Sequence, residues 1–162
     1  MSYKLRHIPF RRDMQEGIDA RLKTQTRRPV KHPGTRGKRV ARFMPSVDPN
    51  YWIEQYDNGD PLKWTSNGAS IKCPYGCAGD RFVILGRTYE IIAVRINRVQ
   101  DISENDAAHE GFQWRPSKTG ATIASNRAMF KAAWDSIYGK TFSWASNPFC
   151  WVLTFRRIDL LP

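Results

Sequence analysis

The sequence has few of the features that mark secreted, disulfide-bonded or membrane-spanning proteins. Its 162 residues include only three cysteines, and an odd, small number of cysteines is typical of a reducing compartment. No stretch approaches the roughly 18 consecutive apolar residues of a membrane span. The first residues lack an apolar core of signal-peptide length. We therefore expect a cytoplasmic protein with no membrane association.

Motifs for metal or phosphate binding are also missing. Cys73 and Cys77 are separated by Pro-Tyr-Gly, which is not the two-residue spacing of a zinc knuckle, and no histidine pair lies nearby to complete a site. There is no Gly-rich phosphate loop, Gly-x-Ser-x-Gly elbow or paired metal-binding histidine motif. The sequence therefore predicts neither a metal site nor a cofactor.

What the chain does contain is typical of one globular domain. Hydrophobic residues make up 41% of the sequence and aromatic residues 12%, a composition that argues against general disorder. A domain of this length buries roughly 68–70% of its unfolded surface. We expect residues 1–162 to form a single domain that folds without a disulfide or a metal.

Acidic residues are scarce at the start of the chain. The net charge is +11, and residues 1–45 hold 13 of the 26 basic side chains but only 3 of the 15 acidic ones. A solvated basic face is the simplest interpretation of such a bias. Its concentration in one segment favours a polyanionic partner, namely RNA, a nucleoside or nucleotide fragment of it, or another nucleic acid. The oligomeric state stays open.

Apolar periodicity predicts the secondary structure. Phe10, Met14, Ile18 and Leu22 recur every four positions, which indicates a helix. A short strand follows over 23–28, because β-branched and long polar residues alternate there before a proline. Further elements are expected as strands over 81–85, 89–99 and 149–158 and as helices that begin after Ser103 and Ser125. This order predicts a small α+β domain around a curled sheet.

Residues 29–72 have no sustained period and contain five of the ten prolines. We interpret the segment as a long irregular insertion, and long loops of this kind are often functional. The aromatic residues of its second half are Tyr51, Trp52, Tyr56 and Trp64. Packing into a small satellite core is the favoured interpretation for them, and stacking on bases is the alternative.

One dense polar cluster, Lys-Thr-Gln-Thr-Arg-Arg at residues 23–28, stands out. Taken alone, it reads as a basic strand that contacts phosphates. Its neighbours in the chain point to a known family. The cluster follows an amphipathic helix, a Cys-Pro-Tyr-Gly-x-x-Gly-Asp turn comes at 73–80, Asp-Ile-Ser-Glu-x-Asp-Ala-x-x-Glu-Gly spans 101–111, and Asn147-Pro148 precedes the last strand.

This order of motifs resembles the ASCH domain family, and in particular its longer members, which are common in phages and prophages. The resemblance covers most of the chain outside 29–71. It implies a PUA-like fold, a small curled β-barrel with flanking helices, here carrying the long insertion. If the chain is phage-encoded, its expected location is the host cytoplasm.

The resemblance also implies a function. PUA-like domains are RNA-binding modules, some ASCH proteins are ribonucleases, and one small bacterial branch is an amidohydrolase that removes the acetyl group from acetylated cytidine. The catalytic Lys, Thr and Glu of that branch correspond to Lys23, Thr26 and Glu110 here. Glu104 and Asp106 compete with Glu110 for the acidic role.

The chemistry expected of these residues is nucleophilic. A threonine hydroxyl needs a base, and Lys23 would serve if Arg27, Arg28 and partial burial favoured its neutral amine. Glu110 would then protonate the leaving amine or orient the lysine.

Two alternatives lack this chemistry. In the first, the chain is a non-catalytic nucleic-acid-binding module whose cations grip phosphates, and the candidates are Arg27, Arg28, Lys31, Arg36, Lys38 and Arg39. In the second, it is a phage assembly or accessory protein whose basic segment is an interaction surface. The sequence does not choose among them, nor does it name the base or the modification.

Overall fold

A computed structural model of the chain describes residues 3–31, 40–56, 70–112 and 125–158. Two compact units are present: residues 1–30 together with 78–162 form the first, and residues 31–77 form the second. The helices are α1 (Arg12–Asp19), α2 (Glu104–His109) and α3 (Asn126–Tyr138). The strands are β1 (Leu5–Arg6), β2 (Gln25–Pro29), β3 (Val40–Pro45), β4 (Tyr51–Tyr56), β5 (Ser70–Lys72), β6 (Arg81–Ile84), β7 (Arg87–Arg98) and β8 (Phe149–Arg157). The α+β class predicted from the sequence is confirmed.

The first unit is built on one five-stranded sheet in the order β1-β6-β7-β8-β2. β1 is parallel to β6, and the other neighbours are antiparallel. β8 lies between β7 and β2 and is buried along most of its length, so its side chains are shielded from solvent on both faces of the sheet. The two edge strands of this order, β1 and β2, do not pair in the described residues, and no closed barrel is found there.

An aromatic cluster packs around the end of β8. The rings of Phe82 and Phe155 meet edge to face at 5.3 Å, and Phe82 stacks on Tyr89 at 5.5 Å. Phe10 joins them from the segment before α1. Offset and edge-to-face ring pairs each contribute about 0.5–1.5 kcal/mol beyond burial, so this cluster anchors β6, β7 and β8 to one another.

The first helix is shorter than its apolar pattern suggested. The pattern predicted a helix from Phe10 to Leu22, but α1 ends at Asp19, and Arg21 adopts a left-handed backbone with φ of 60°. Ile18 is buried, whereas Leu22 lies past the turn and is 36% exposed. The turn redirects the chain so that Lys23 leads directly into β2.

Serine caps fix the starts of the other two helices, as predicted. Ser103 Oγ accepts a hydrogen bond from the Asp106 amide at 3.0 Å, and Ser125 Oγ accepts one from Ala128 at 3.1 Å. The helices pack on a second core whose buried members are Val99, Ile102, Ala107, Phe130, Trp134, Trp144, Cys150 and Val152. This core holds the end of α2 in place beside β2.

The second unit contains an antiparallel sheet in the order β3-β4-β5. The segment expected to be irregular therefore carries regular strands, which its prolines and short apolar runs concealed. Trp52 and Tyr56 are buried, and the Tyr56 hydroxyl donates a 2.7 Å hydrogen bond to buried Glu54. For these two aromatic residues, the interpretation as a satellite core is confirmed. Trp64 lies outside the described residues.

None of the helices in the described part of the chain is long and apolar enough to cross a membrane.

Replacing Ser103 with alanine tests how much the α2 cap contributes. We expect Ser103→Ala to lower the free energy of unfolding by about 1 kcal/mol, because the Asp106 amide loses its acceptor. Urea denaturation measures the change. Ser136→Ala, at an exposed interior position of α3, is the matched control and should be neutral or slightly stabilising. Equal effects of the two substitutions would contradict a capping role for Ser103.

Candidate functional site

The backbone brings Lys23 to the C-terminal end of α2. The Thr24 amide donates to the His109 carbonyl at 2.7 Å, which ties the start of β2 to the last turn of that helix. Gly111 follows with φ of +98°, and a Cβ there would lie 3.4 Å from Lys23 Cβ. Glycine suits this position because it accepts the left-handed backbone and leaves room for the lysine stem.

Three charged side chains meet below this turn, and all of them are buried. Lys23 Nζ donates to Glu110 Oε2 at 2.6 Å and to the Glu110 carbonyl at 2.9 Å. Arg27 Nη1 approaches Glu110 Oε1 at 3.3 Å. The carboxylate of Glu110 therefore bridges Lys23, which precedes β2, and Arg27, which lies within β2. The three residues are only 3–5% exposed. We call these three residues the buried ion cluster.

The structure distinguishes the three acids that compete for the acidic role. Only Glu110 among them contacts Lys23 in the described structure. Asp106 instead pairs with Arg27 Nη2 at 3.0 Å and with Arg95 at 3.4 Å. Glu104 accepts from the Arg127 amide at the start of α3.

A carboxylate is thus the direct partner of Lys23. The sequence led us to expect that Arg27, Arg28 and partial burial would favour the neutral amine, and that Glu110 would protonate the leaving amine or orient the lysine. Arg27 does lie close, but the same Glu110 carboxylate binds it. Opposite charges at these distances inside a protein attract strongly, and they offset the cost of removing each charge from water. Glu110 therefore both orients Lys23 and balances its charge.

A pocket opens over the buried ion cluster. It is partly open to solvent, its cavity volume is about 30 Å³, and Lys23, Thr26, Arg27, Arg28 and Glu110 form its polar lining. The opposite walls are mainly aromatic and come from Phe112, Phe130, Trp134 and Tyr138. No described residue hydrogen-bonds the Thr26 hydroxyl, so this group is available to a ligand. We call this site the aromatic pocket.

Cys150 lies behind the same cluster and is not a nucleophile. Its thiol donates to the Asn97 carbonyl at 3.4 Å. Burial raises the pKa of Cys150 to about 12; Arg27 lowers it and Glu110 raises it by smaller amounts. A thiol with so high a pKa stays protonated at neutral pH. Cys150 therefore does not supply a thiolate at this site.

The six cations predicted to bind phosphates differ in burial and in their partners. Arg27 is too buried to bind a phosphate at the surface: its side chain is 1% exposed, and its guanidinium binds Glu110 and Asp106. Its Nε is buried without a hydrogen-bond partner among the described residues. Arg28 is half-buried, binds the Tyr138 hydroxyl at 3.1 Å and also donates to the Pro9 carbonyl. Lys31 is exposed. The other three, Arg36, Lys38 and Arg39, lie outside the described residues.

The sequence did not reveal that the aromatic wall belongs to a site. Phe130 and Trp134 were assigned to the buried stripe of a helix, and they are indeed buried. The same stripe continues to Tyr138, which places one edge of it over β2. Helical spacing identifies such residues, but it does not show that they line a pocket together with a lysine from another element.

No group of three or more His, Cys, Asp or Glu side chains that could hold a metal ion occurs in the described residues. Comparison with known proteins finds no matching family model, no matching curated protein and no matching solved structure.

Removing the Glu110 carboxylate should destabilise the fold strongly. Glu110→Ala leaves Lys23 buried without a counter-charge, and it leaves Arg27 with Asp106 alone. Such a loss costs about 3–5 kcal/mol. The free energy of unfolding from urea denaturation measures it. Glu16→Ala is the matched control, because it breaks the exposed Arg12–Glu16 pair, which is worth about 0–1 kcal/mol. Similar costs for both variants would show that the buried ion cluster does not hold the fold together.

Proposed function

We propose that this chain is an ASCH-type, PUA-like protein that binds a modified nucleoside in the aromatic pocket and hydrolyses an acyl group from its exocyclic amine. Acetylated cytidine, free or within RNA, is the substrate class. One observation carries the proposal. The Lys23–Glu110 pair, at 2.6 Å, and the Thr26 hydroxyl lie on the surface of one pocket whose other walls are aromatic.

The pocket walls suit a nucleobase. Aromatic side chains bind bases by stacking, which is worth about 1–3 kcal/mol per base and tolerates any base. Phe112 and Tyr138 are only partly buried, so their rings are accessible from the pocket. The polar side of the pocket supplies donors for the hydrogen-bonding edge of the base. An uncharged base fits here better than a phosphate, because Glu110 already balances much of the charge of Lys23 and Arg27.

The same groups can carry out acyl transfer. Passage of one proton from Lys23 Nζ to Glu110 Oε2 across their hydrogen bond leaves a neutral amine. Thr26 Oγ1 then attacks the acyl carbonyl carbon, and its proton moves to that amine. Collapse of the tetrahedral intermediate breaks the C–N bond, and the protonated Lys23 returns a proton to the leaving amine.

Water completes the cycle. It attacks the carbonyl carbon of the ester on Thr26 while its proton moves to Lys23. Collapse of the tetrahedral intermediate breaks the bond to Thr26 Oγ1, Lys23 gives that oxygen the proton, and the carboxylic acid leaves. Glu110 then returns its proton to Lys23. Cationic Arg27 contributes to the polar side of the pocket, where positive charge stabilises the oxyanion of each tetrahedral intermediate. The products are the nucleoside with a free amine and one carboxylic acid.

Binding without chemistry is the second candidate, and a specific observation favours it. Lys23 and Glu110 are fully engaged with each other and with Arg27, which is also what a purely structural ion cluster looks like. In that case, the pocket holds a base of RNA and no bond breaks. Affinity for RNA should then fall steeply with salt, to an extent set by the phosphates contacted.

Product analysis distinguishes the two candidates. We expect the purified protein to convert acetylated cytidine to cytidine and acetate, as detected by mass spectrometry, and Lys23→Ala to abolish the product. A single-stranded RNA incubated in parallel tests ribonuclease activity. Retention of RNA on a filter at low salt, with no turnover of either compound, would support the binding module and rule out the hydrolase for these substrates.

Thr26 variants test the nucleophile separately from binding. We expect Thr26→Ala to reduce turnover by about a thousandfold or more while the dissociation constant for the substrate changes little, because the pocket keeps its walls. Thr26→Ser keeps a hydroxyl and should retain measurable activity. Thr141→Ala, at an exposed position after α3, is the control and should match the unaltered protein. Undiminished turnover by Thr26→Ala would exclude Thr26 as the nucleophile.

A further inference from the structure

Asp106 lies one turn before Glu110 on α2, and both carboxylates bind the same arginine. The Asp106 carbonyl accepts a hydrogen bond from the Glu110 amide at 2.9 Å, so the two residues are helical neighbours four positions apart and share one face. Ser103 fixes the start of this turn, because its hydroxyl accepts a hydrogen bond from the Asp106 amide. The end of α2 therefore places two carboxylates against Arg27.

Arg27 divides its guanidinium between these two acids. Its Nη2 donates to Asp106 Oδ2 at 3.0 Å, and its Nη1 approaches Glu110 Oε1 at 3.3 Å. The shorter of the two contacts is the one to Asp106. The shortest contact of Glu110 is instead with Lys23, at 2.6 Å. Each carboxylate thus has its own principal cation: Asp106 has Arg27, and Glu110 has Lys23.

Loss of Asp106 would change this division. A guanidinium binds a single carboxylate most strongly through two parallel N–H···O bonds, and Glu110 is the other carboxylate that Arg27 contacts among the described residues. Arg27 would then turn both Nη groups towards Glu110 and compete with Lys23 for the same two oxygens. Asp106 prevents this competition by binding Nη2.

Asp106 lies at the edge of the buried ion cluster. Its side chain is 22% exposed, whereas those of Lys23, Arg27 and Glu110 are 1–4% exposed. Arg95 on β7 holds it from the other side, with Nη2 at 3.4 Å from Oδ2. Asp106 does not belong to the lining of the aromatic pocket, whereas Arg27 does. Any effect of Asp106 on a ligand there passes through Arg27.

We propose that Asp106 is a positioning residue for hydrolysis in the aromatic pocket. By holding Arg27 at Nη2, it leaves the Glu110 carboxylate to Lys23. This inference rests on the proposed function, in which Glu110 Oε2 takes the Lys23 proton and Arg27 stabilises the oxyanion. Both roles belong to turnover rather than to binding of the base, so the loss of Asp106 should lower kcat and leave KM almost unchanged.

Asp106→Asn tests this role, because it keeps the size of the side chain and one acceptor oxygen but removes the charge. We expect kcat for acetylated cytidine to fall about tenfold to a hundredfold, the scale of loss when a catalytic group is misplaced by about 1 Å, while KM changes less than about twofold. Asp106→Glu restores a carboxylate at the same position and should recover much of the lost kcat. Steady-state kinetics with product detection by mass spectrometry gives both constants.

Glu104→Gln is the matched control. It removes one carboxylate charge from the same helix, but Glu104 binds the Arg127 amide at the start of α3, and we expect kcat and KM to match those of the unaltered protein. Thermal unfolding of each variant checks that it is folded at the assay temperature. A merely structural role for Asp106 predicts that kcat and KM deteriorate together and that Asp106→Glu rescues neither, and that result would overturn the proposal.

A crystal structure of the Asp106→Asn protein tests the geometry without relying on turnover. We expect Arg27 to bind Glu110 through both Nη groups and the distance from Lys23 Nζ to Glu110 Oε2 to lengthen from 2.6 Å. An Arg27 that keeps its position would contradict the proposal.

The kinetic outcomes distinguish this inference from the function on which it rests. Undiminished kcat in Asp106→Asn, with the unaltered protein active, would overturn the role of Asp106 and leave the hydrolase intact. Absence of turnover by the unaltered protein would instead contradict the proposed function, and the role of Asp106 in it would be lost as well.

Discussion

Burial of Lys23, Arg27 and Glu110 together is the constraint on which the rest of the first unit depends. A single buried charge is expensive, and each of these three is tolerated only because an opposite charge lies within hydrogen-bonding or ion-pairing distance. The partners come from distant parts of the chain, so the approach to β2 and the end of α2 must be correctly placed at the same time. The Thr24–His109 hydrogen bond and the left-handed Gly111 serve that placement.

The same constraint divides the basic residues near the start of the chain into two kinds. Arg27 and Lys23 are internal members of the buried ion cluster, and both also line the aromatic pocket. Lys31, two residues after β2, is exposed instead. Net charge therefore overstates how much of this segment is free to grip a polyanion. In the proposed function, Lys23 and Arg27 place positive charge at one small site, the aromatic pocket.

Local signals predicted the elements well where they were strong. Ser103 and Ser125 cap their helices as expected, and the apolar alternation of 149–158 corresponds to β8. Prediction failed where local signals conflicted. Residues 40–56 form two strands despite neighbouring prolines, because cross-strand pairing and burial of Trp52 and Tyr56 outweigh weak local preference. The last predicted turn of α1 is lost because the chain turns at Arg21.

The sequence by itself determined the α+β class, the starts of α2 and α3 and the residue types of the candidate site, since caps, periodicity and short motifs act within a few residues. Only the tertiary structure decided which acid faces Lys23, because Glu104, Asp106 and Glu110 are equivalent in local pattern and differ in what lies opposite them. It also decided that the apolar stripe of α3 forms a wall of the aromatic pocket. These arrangements arise from contacts between residues far apart in the chain, and no local pattern encodes such distances.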